Sequence, residues 1–206
     1  MKSYFLTFIK PGQSLRRLLD NERSFQLGFL YILIPIVGYT LMYVFLTIGK
    51  GAPSVLTPWL NIPEEDYYAV NRFLLAPGMI LSWIAATSVT QILSKLFKGT
   101  GTFEQTLSLL ALSISVAMWG GLIHDLPMSF LSAVGVIDAR EHEIAMNSPT
   151  IFRTILWCCY SVYFLLFLIL FPLTVKVVHG LNAAKSILIG ILAFIIFQVL
   201  FLLFNR

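Results

Sequence analysis

The sequence predicts an all-α polytopic membrane bundle, with five transmembrane helices and a short N-terminal interfacial helix. Three observations predict it. Of the 206 residues, 58% are hydrophobic and only 12% are charged, where a typical soluble domain has about 25% charged. Five apolar runs are each close to the roughly 20 residues that a helix needs to cross a bilayer. The loops between those runs alternate in charge. A mean hydropathy of +0.84 excludes an ordinary globular enzyme, and it excludes a disordered chain, which needs low hydrophobicity and high net charge. The net charge of +4 is no sign of nucleic acid, because the basic residues are scattered between apolar runs and form no clustered face. The bilayer is the expected partner.

Met1 to Ile9 does not read as a cleavable signal, since its apolar stretch is short and Pro11-Gly12 follows in place of a small-residue cleavage site. Residues 13–22 put Leu15, Leu18 and Leu19 on one face, with Arg16, Arg17 and Asp20 largely off it. That pattern predicts a short helix in the interface, its basic groups near anionic headgroups. The spans are expected at about 27–48, 73–97, 107–123, 151–175 and 186–204, with Ser24 as a cap for the first. Pro35, Pro77 and Pro172 fall within or beside them and predict kinks, because neighbouring helices can satisfy a freed carbonyl in a membrane. The stretch 126–137 is apolar but twelve residues long, which predicts an interfacial or re-entrant piece and no sixth span. Cys158 and Cys159, the only cysteines, read as small apolar packing residues. No internal repeat is evident, and residues 1–206 read as one integral membrane domain.

Charge then predicts orientation. The N-terminal segment and the 94–106 and 174–186 loops hold nine of the fourteen basic residues, among them Lys2, Lys10, Arg16, Arg17, Lys95, Lys98, Lys176 and Lys185. The opposite side holds five, with seven of the ten acids. The formal charge divides into +6 and −2. Lysine and arginine stay inside, which places the N-terminus in the cytoplasm and the C-terminus outside.

Two loops on the basic side carry a resemblance. Lys98-Gly-Thr-Gly-Thr-Phe-Glu-Gln-Thr-Leu107 and Val178-His-Gly-Leu-Asn-Ala-Ala-Lys-Ser186 resemble the corresponding loops of the Yip-one-domain (Ypt-interacting protein) family, and Pro11 stands where that family often has a proline. The resemblance implies five spans and a cytoplasmic N-terminus. About two dozen residues precede the first span, where eukaryotic members usually have a long N-terminal region. That departure favours a prokaryotic member in a cell (inner) membrane. Many members also have a proline partway along the third span, and Ser113 to Trp119 contains none. For eukaryotic members the family implies binding of Rab-type GTPases and vesicle traffic. A bacterium has no such partners, so that role does not carry over.

Several residues invite a chemical reading. Gly99, Gly101 and Phe103 suggest a phosphate loop only superficially, for the lysine and hydroxyl that must follow the last glycine are missing. They read better as a tight turn, with Gly99 stopping one helix, Thr102 and Gln105 forming a capping box for the next, and Phe103 at the interface. His179 and Gly180 suggest a helix C-terminal turn, and Lys185 a topology signal or a lipid-phosphate contact. His124-Asp125 is an ionisable pair at the edge of the third span, which by default marks a functional site. Ser113, Ala117, Gly120 and His124 share one helical face, as do Thr87, Gln91 and Ser94. Together these residues would line a narrow polar path, or else serve close helix packing. Glu141, His142 and Glu143, with His124 and Asp125, are candidate ligands for a divalent cation, or else a solvated loop, since no HExxH spacing exists. No catalytic set or cofactor motif is present, so neither an enzyme nor a bound cofactor is expected.

The sequence therefore favours a non-enzymatic membrane protein that organises membrane or binds a membrane or cytoplasmic protein. The alternative is a small transporter or channel for an ion or small solute, in which case a homodimer is expected because five spans leave little room for a path.

Overall fold

A computed structural model describes residues 2–51 and 62–205 of the chain. It is all helical, with no strand among the described residues. Helices α1 (Lys2–Ile9) and α2 (Pro11–Leu19) form an N-terminal hairpin. Five long helices follow: α3 (Ser24–Ile48), α4 (Tyr67–Leu96), α5 (Phe103–Ala133), α7 (Ile151–His179) and α8 (Ala183–Asn205). A 3-10 turn at Glu64–Asp66 leads into α4, and the short α6 (Ala139–Asn147) separates α5 from α7. All five long helices are long and apolar enough to cross a membrane.

The order of contacts fixes the directions. Gly28 and Gly38 of α3 meet Ser108 and Leu122 of α5, so those two helices run parallel. Along α5 and α7 the partners are Thr106 with His179, Ser113 with Thr174, and Gly120 with Tyr163, so that pair is antiparallel. Pro172 against Gly190 and Tyr163 against Gln198 make α7 and α8 antiparallel as well. One end of the bundle therefore carries the 97–102 and 180–182 loops (the loop end), and the other carries α6.

Helix α5 is the axis of the bundle. From Thr106 to Leu122 every residue except Trp119 is buried, whereas α7 leaves Phe164, Leu165, Leu168 and Ile169 exposed as an apolar outer face. A helix that is apolar all round belongs in a core or in lipid, and here the centre and the rim divide those roles. The aromatic core between α7 and α8 includes Phe167, Phe171 and Phe197, all fully buried.

The structure corrects three expectations. The 126–137 stretch is no separate piece: α5 runs on through Pro127 to Ala133 as one helix of 31 residues. Proline costs its helix one hydrogen bond, and at position 127 this is tolerated close to the helix end. Second, Ser24 is the first residue of α3 and makes no cap, its hydroxyl having no partner; Asn21 instead accepts from the Arg23 amide at 2.8 Å. Third, Cys158 is exposed and Cys159 half-buried, so Cys158 does not pack within the bundle. The N-terminal segment agrees with its expected face and adds a further helix. The α2 helix has the expected face, with Leu15 and Leu18 buried and Arg16 and Arg17 exposed. Before it, however, α1 turns back into the bundle. Its Tyr4 hydroxyl bonds Ser115 Oγ at 3.0 Å and accepts from the Trp119 indole at 2.7 Å. Ser115 lies twelve residues into α5, about 18 Å along its axis.

Candidate functional site

Two sites emerge, one at each end of the bundle. At the loop end, the two stretches that carry the resemblance pack against each other. Helix α4 ends at Leu96, and the left-handed residue after it is Lys98, with φ 65°, instead of Gly99. The glycines serve close approach. A Cβ on Gly101 would collide with the Val178 side chain and lie 2.7 Å from its carbonyl, and one on Gly99 would lie 2.8 Å from the His179 Cβ. Thr102 and Gln105 form a capping box that starts α5 at Phe103, and Gly180, with φ 66°, ends α7 in the left-handed conformation.

Hydrogen bonds tie these loops to α4. The Gln91 amide donates to the Gly101 carbonyl at 3.1 Å, while its oxygen accepts from the Thr106 hydroxyl at 3.0 Å. The Thr106 oxygen also lies 2.8 Å from the Thr102 carbonyl and 3.1 Å from His179 Nε2. Two of these three neighbours are pure acceptors, so the single Thr106 hydrogen goes to one of them and His179 donates from Nε2. Its Nδ1 is then a bare, buried acceptor with no partner. The Thr100 amide closes the junction by donating to the His179 carbonyl at 3.3 Å. Lys185 stands outside it, its ammonium 5.3 Å from the Phe97 ring centroid.

At the other end, a cavity of about 270 Å³ opens between the ends of α3, α4, α5, α7 and α8 and beneath α6. Its walls are mostly apolar, with Met42, Met128, Met146, Phe164, Phe201 and Leu202 among them. Six of the eight tyrosines of the chain line it: Tyr39, Tyr43, Tyr67, Tyr68, Tyr160 and Tyr163. His124 and Asp125 face it, with His124 Nδ1 2.8 Å from Asp125 Oδ1, and the Tyr160 hydroxyl donates to Asp125 Oδ2 at 3.1 Å. His142 of α6 stacks on His124 with ring centroids 5.8 Å apart. Burial and the neighbouring His124 both push the His142 pKa down, which favours the neutral imidazole. Deeper in, Tyr163 and Gln198 bond each other through hydroxyl and amide.

The residues singled out from the sequence therefore separate into three places. His124, Asp125, His142 and Glu143 share the cavity, and Glu141 is exposed on α6. No three His, Cys, Asp or Glu side chains converge as a metal site among the described residues. Gln91 belongs to the loop-end junction with Gly99, Gly101 and His179. The other residues of the polar stripes sit in packed helix contacts. Thr87 donates to the Trp83 carbonyl, Ser94 is buried, and Ser113 donates to the Leu109 carbonyl while it accepts from Thr174 at 2.8 Å. Gly120 lies against the Tyr163 backbone, where a Cβ would be 2.5 Å from the nitrogen.

Sequence reasoning missed the tyrosine lining. Its signal was present, as pairs spaced four, one and three apart at the ends of three spans, but interfacial aromatic belts leave the same mark.

No curated protein and no solved structure matches the sequence. The Yip1 domain does match, over residues 5–204. That match takes in the N-terminal hairpin, the five long helices, the loop-end junction and the cavity, and the chain belongs to the Yip1 domain family of membrane proteins.

Proposed function

We propose that the protein is a non-catalytic membrane component that acts by binding a membrane or cytoplasmic protein at the ends of its bundle, and that it moves no solute through it. The packing of α5 carries this reading. Along the middle of the bundle α5 is buried on all sides, and two of the three hydroxyls that a polar path would use are taken up by helix contacts, Ser113 with Leu109 and Thr174, and Thr87 with Trp83, while the third, that of Ser94, is buried. Small residues at such crossings let helices approach closely and hydrogen-bond. The cavity is lined from the α6 end, and none of Thr87, Gln91, Ser94 or Ser113 lines it. The loop end, by contrast, offers a fixed polar surface around Lys98, Thr100, Thr102 and Glu104, all exposed. In the reading proposed here that surface faces the cytoplasm of a prokaryotic cell.

Two measurements decide it together. Affinity purification in mild detergent is expected to retain a partner protein on the unaltered chain and to lose it when Lys98 and Glu104 are both replaced by serine. Proteoliposomes of the purified protein are expected to pass neither protons nor small cations above the protein-free rate. Flux that Ser113→Leu abolishes, with no partner retained, would overturn the proposal in favour of a transporter.

A further inference from the structure

We infer that the cavity at the α6 end is a binding site for a monovalent organic cation, an ammonium group carried on an apolar body. This goes beyond the binding of a protein partner, and it holds or fails separately from that reading.

The argument starts from charge. Among the described residues, the lining includes two carboxylates, Asp125 and Glu143, and neither a lysine nor an arginine. Asp125 is held in place from both oxygens, by His124 at 2.8 Å and by Tyr160 at 3.1 Å. A carboxylate accepts about four hydrogen bonds, so both oxygens keep acceptor capacity for a ligand. The neighbouring His142 is held toward its neutral form, and the one other histidine of the described lining, His124, is committed to Asp125 through Nδ1 at 2.8 Å, so even a charged His124 leaves one carboxylate in excess. An anion is therefore disfavoured in this space.

The walls then choose among cations. A small metal ion needs several converging ligands at short range, and no three His, Cys, Asp or Glu side chains converge among the described residues. The space of about 270 Å³ is lined instead by tyrosine rings, methionines and phenylalanines. Aromatic rings attract alkylated ammonium groups through their negative faces, and more strongly where water is excluded. Apolar walls with a few placed polar groups are the usual form of a small-molecule site. One end of such a ligand is accounted for by Asp125 and the tyrosines. Its apolar body is accounted for by the side chains between them, Met42, Phe164, Phe201 and Leu202. An alkylammonium could be a free amphipathic amine or the choline headgroup of a lipid, and the two share this recognition chemistry.

The test is isothermal titration calorimetry on the purified full chain in an uncharged maltoside detergent. Benzyltrimethylammonium is expected to bind saturably at one site per chain, and N-benzylacetamide, neutral and of similar size, at least about tenfold more weakly. Asp125→Asn is expected to weaken benzyltrimethylammonium by at least about tenfold, the scale on which a buried charge loses its partner. Tyr43→Leu should weaken it too, while His179→Gln at the far end should leave it unchanged. Equal binding of the charged and neutral probes, or no saturable binding, overturns the proposal on the unaltered protein, so the result does not hang on any variant folding. Unchanged binding by a folded Asp125→Asn also overturns it. Short-chain phosphatidylcholine and phosphatidylglycerol then serve as competitors. Displacement by phosphatidylcholine alone assigns a lipid headgroup, displacement by neither assigns a free amine, and equal displacement by both marks an acyl-chain site and overturns the proposal.

Discussion

Gly120 shows how much a single hydrogen atom can decide. The sequence places it on a stripe with Ser113, Ala117 and His124, and such a stripe is equally suited to line a path or to let a second helix come close. In the structure a Cβ there would lie 2.5 Å from both the nitrogen and the Cα of Tyr163. The obstruction is backbone, which cannot swing aside as a side chain would. Overpacking of a tight contact typically costs about 1–3 kcal/mol. Gly120→Ala is therefore expected to lower the thermal unfolding midpoint in detergent by several degrees, with Gly12→Ala as a control, because a Cβ on Gly12 meets nothing within 4 Å. Equal midpoints for the two variants would show that α5 and α7 are packed less tightly than described. Residue types alone do not separate these glycines; the difference lies in which helix runs opposite. The same holds at the loop end, where Gly99 and Gly101 read as turn residues although Lys98 has the positive φ. Their lack of a side chain is used by His179 and Val178, about eighty residues away in sequence.

Among the elements, the five long helices were legible because hydrophobic length is a local property that survives any arrangement of neighbours. What was not legible depended on partners. The polar content of 124–132, with His124, Asp125, Pro127 and two serines, reads as the end of a span. It continues as helix with Asp125 bonded by Tyr160 of α7, and with the Ser129 hydroxyl satisfied within the helix by the Leu126 carbonyl. Helix α1 is the sharper case. Eight residues are too few to cross a bilayer, and the segment was read only for what it is not. Its place is set by Tyr4, which bonds Ser115 and Trp119 and lies beside Tyr31 with the rings tilted by 36° and their centroids 5.5 Å apart. Burial pushes the Tyr4 pKa up, so the phenol stays protonated and able to donate. Tyr4→Phe would strip the part-buried Trp119 indole of its acceptor, at a cost of about 1 kcal/mol, the usual net worth of one hydrogen bond. Faster amide exchange across residues 2–19 is the expected result, with α3 and α5 unchanged. Exchange that stays as slow as in the parent would mean that α1 is held by its apolar contacts with Leu15, Leu18 and Tyr31 alone.

For the whole molecule, the structure sorts charge by end, and the sequence does so only if its spans are counted correctly. Arg16, Arg17, Lys95, Lys98, Lys176 and Lys185 all belong to the loop end, while Glu64, Glu65, Asp66, Asp138, Glu141 and Glu143 belong to the end with α6. Had 126–137 been a sixth span, Lys176 and Lys185 would have changed sides. It is instead the continuation of α5, so the count of five and the separation of charge hold together. Basic residues are retained on the cytoplasmic side, and the loop end is accordingly expected there. Cys158 is exposed, so labelling must begin from a chain with Cys158→Ser and Cys159→Ser. In that background Lys98→Cys is expected to react with a membrane-impermeant maleimide only in inverted vesicles, and Glu141→Cys only in intact cells. The reverse pattern would put the basic end outside. It would also move the end of the bundle that carries the cavity and α6 from the outer side to the cytoplasmic one.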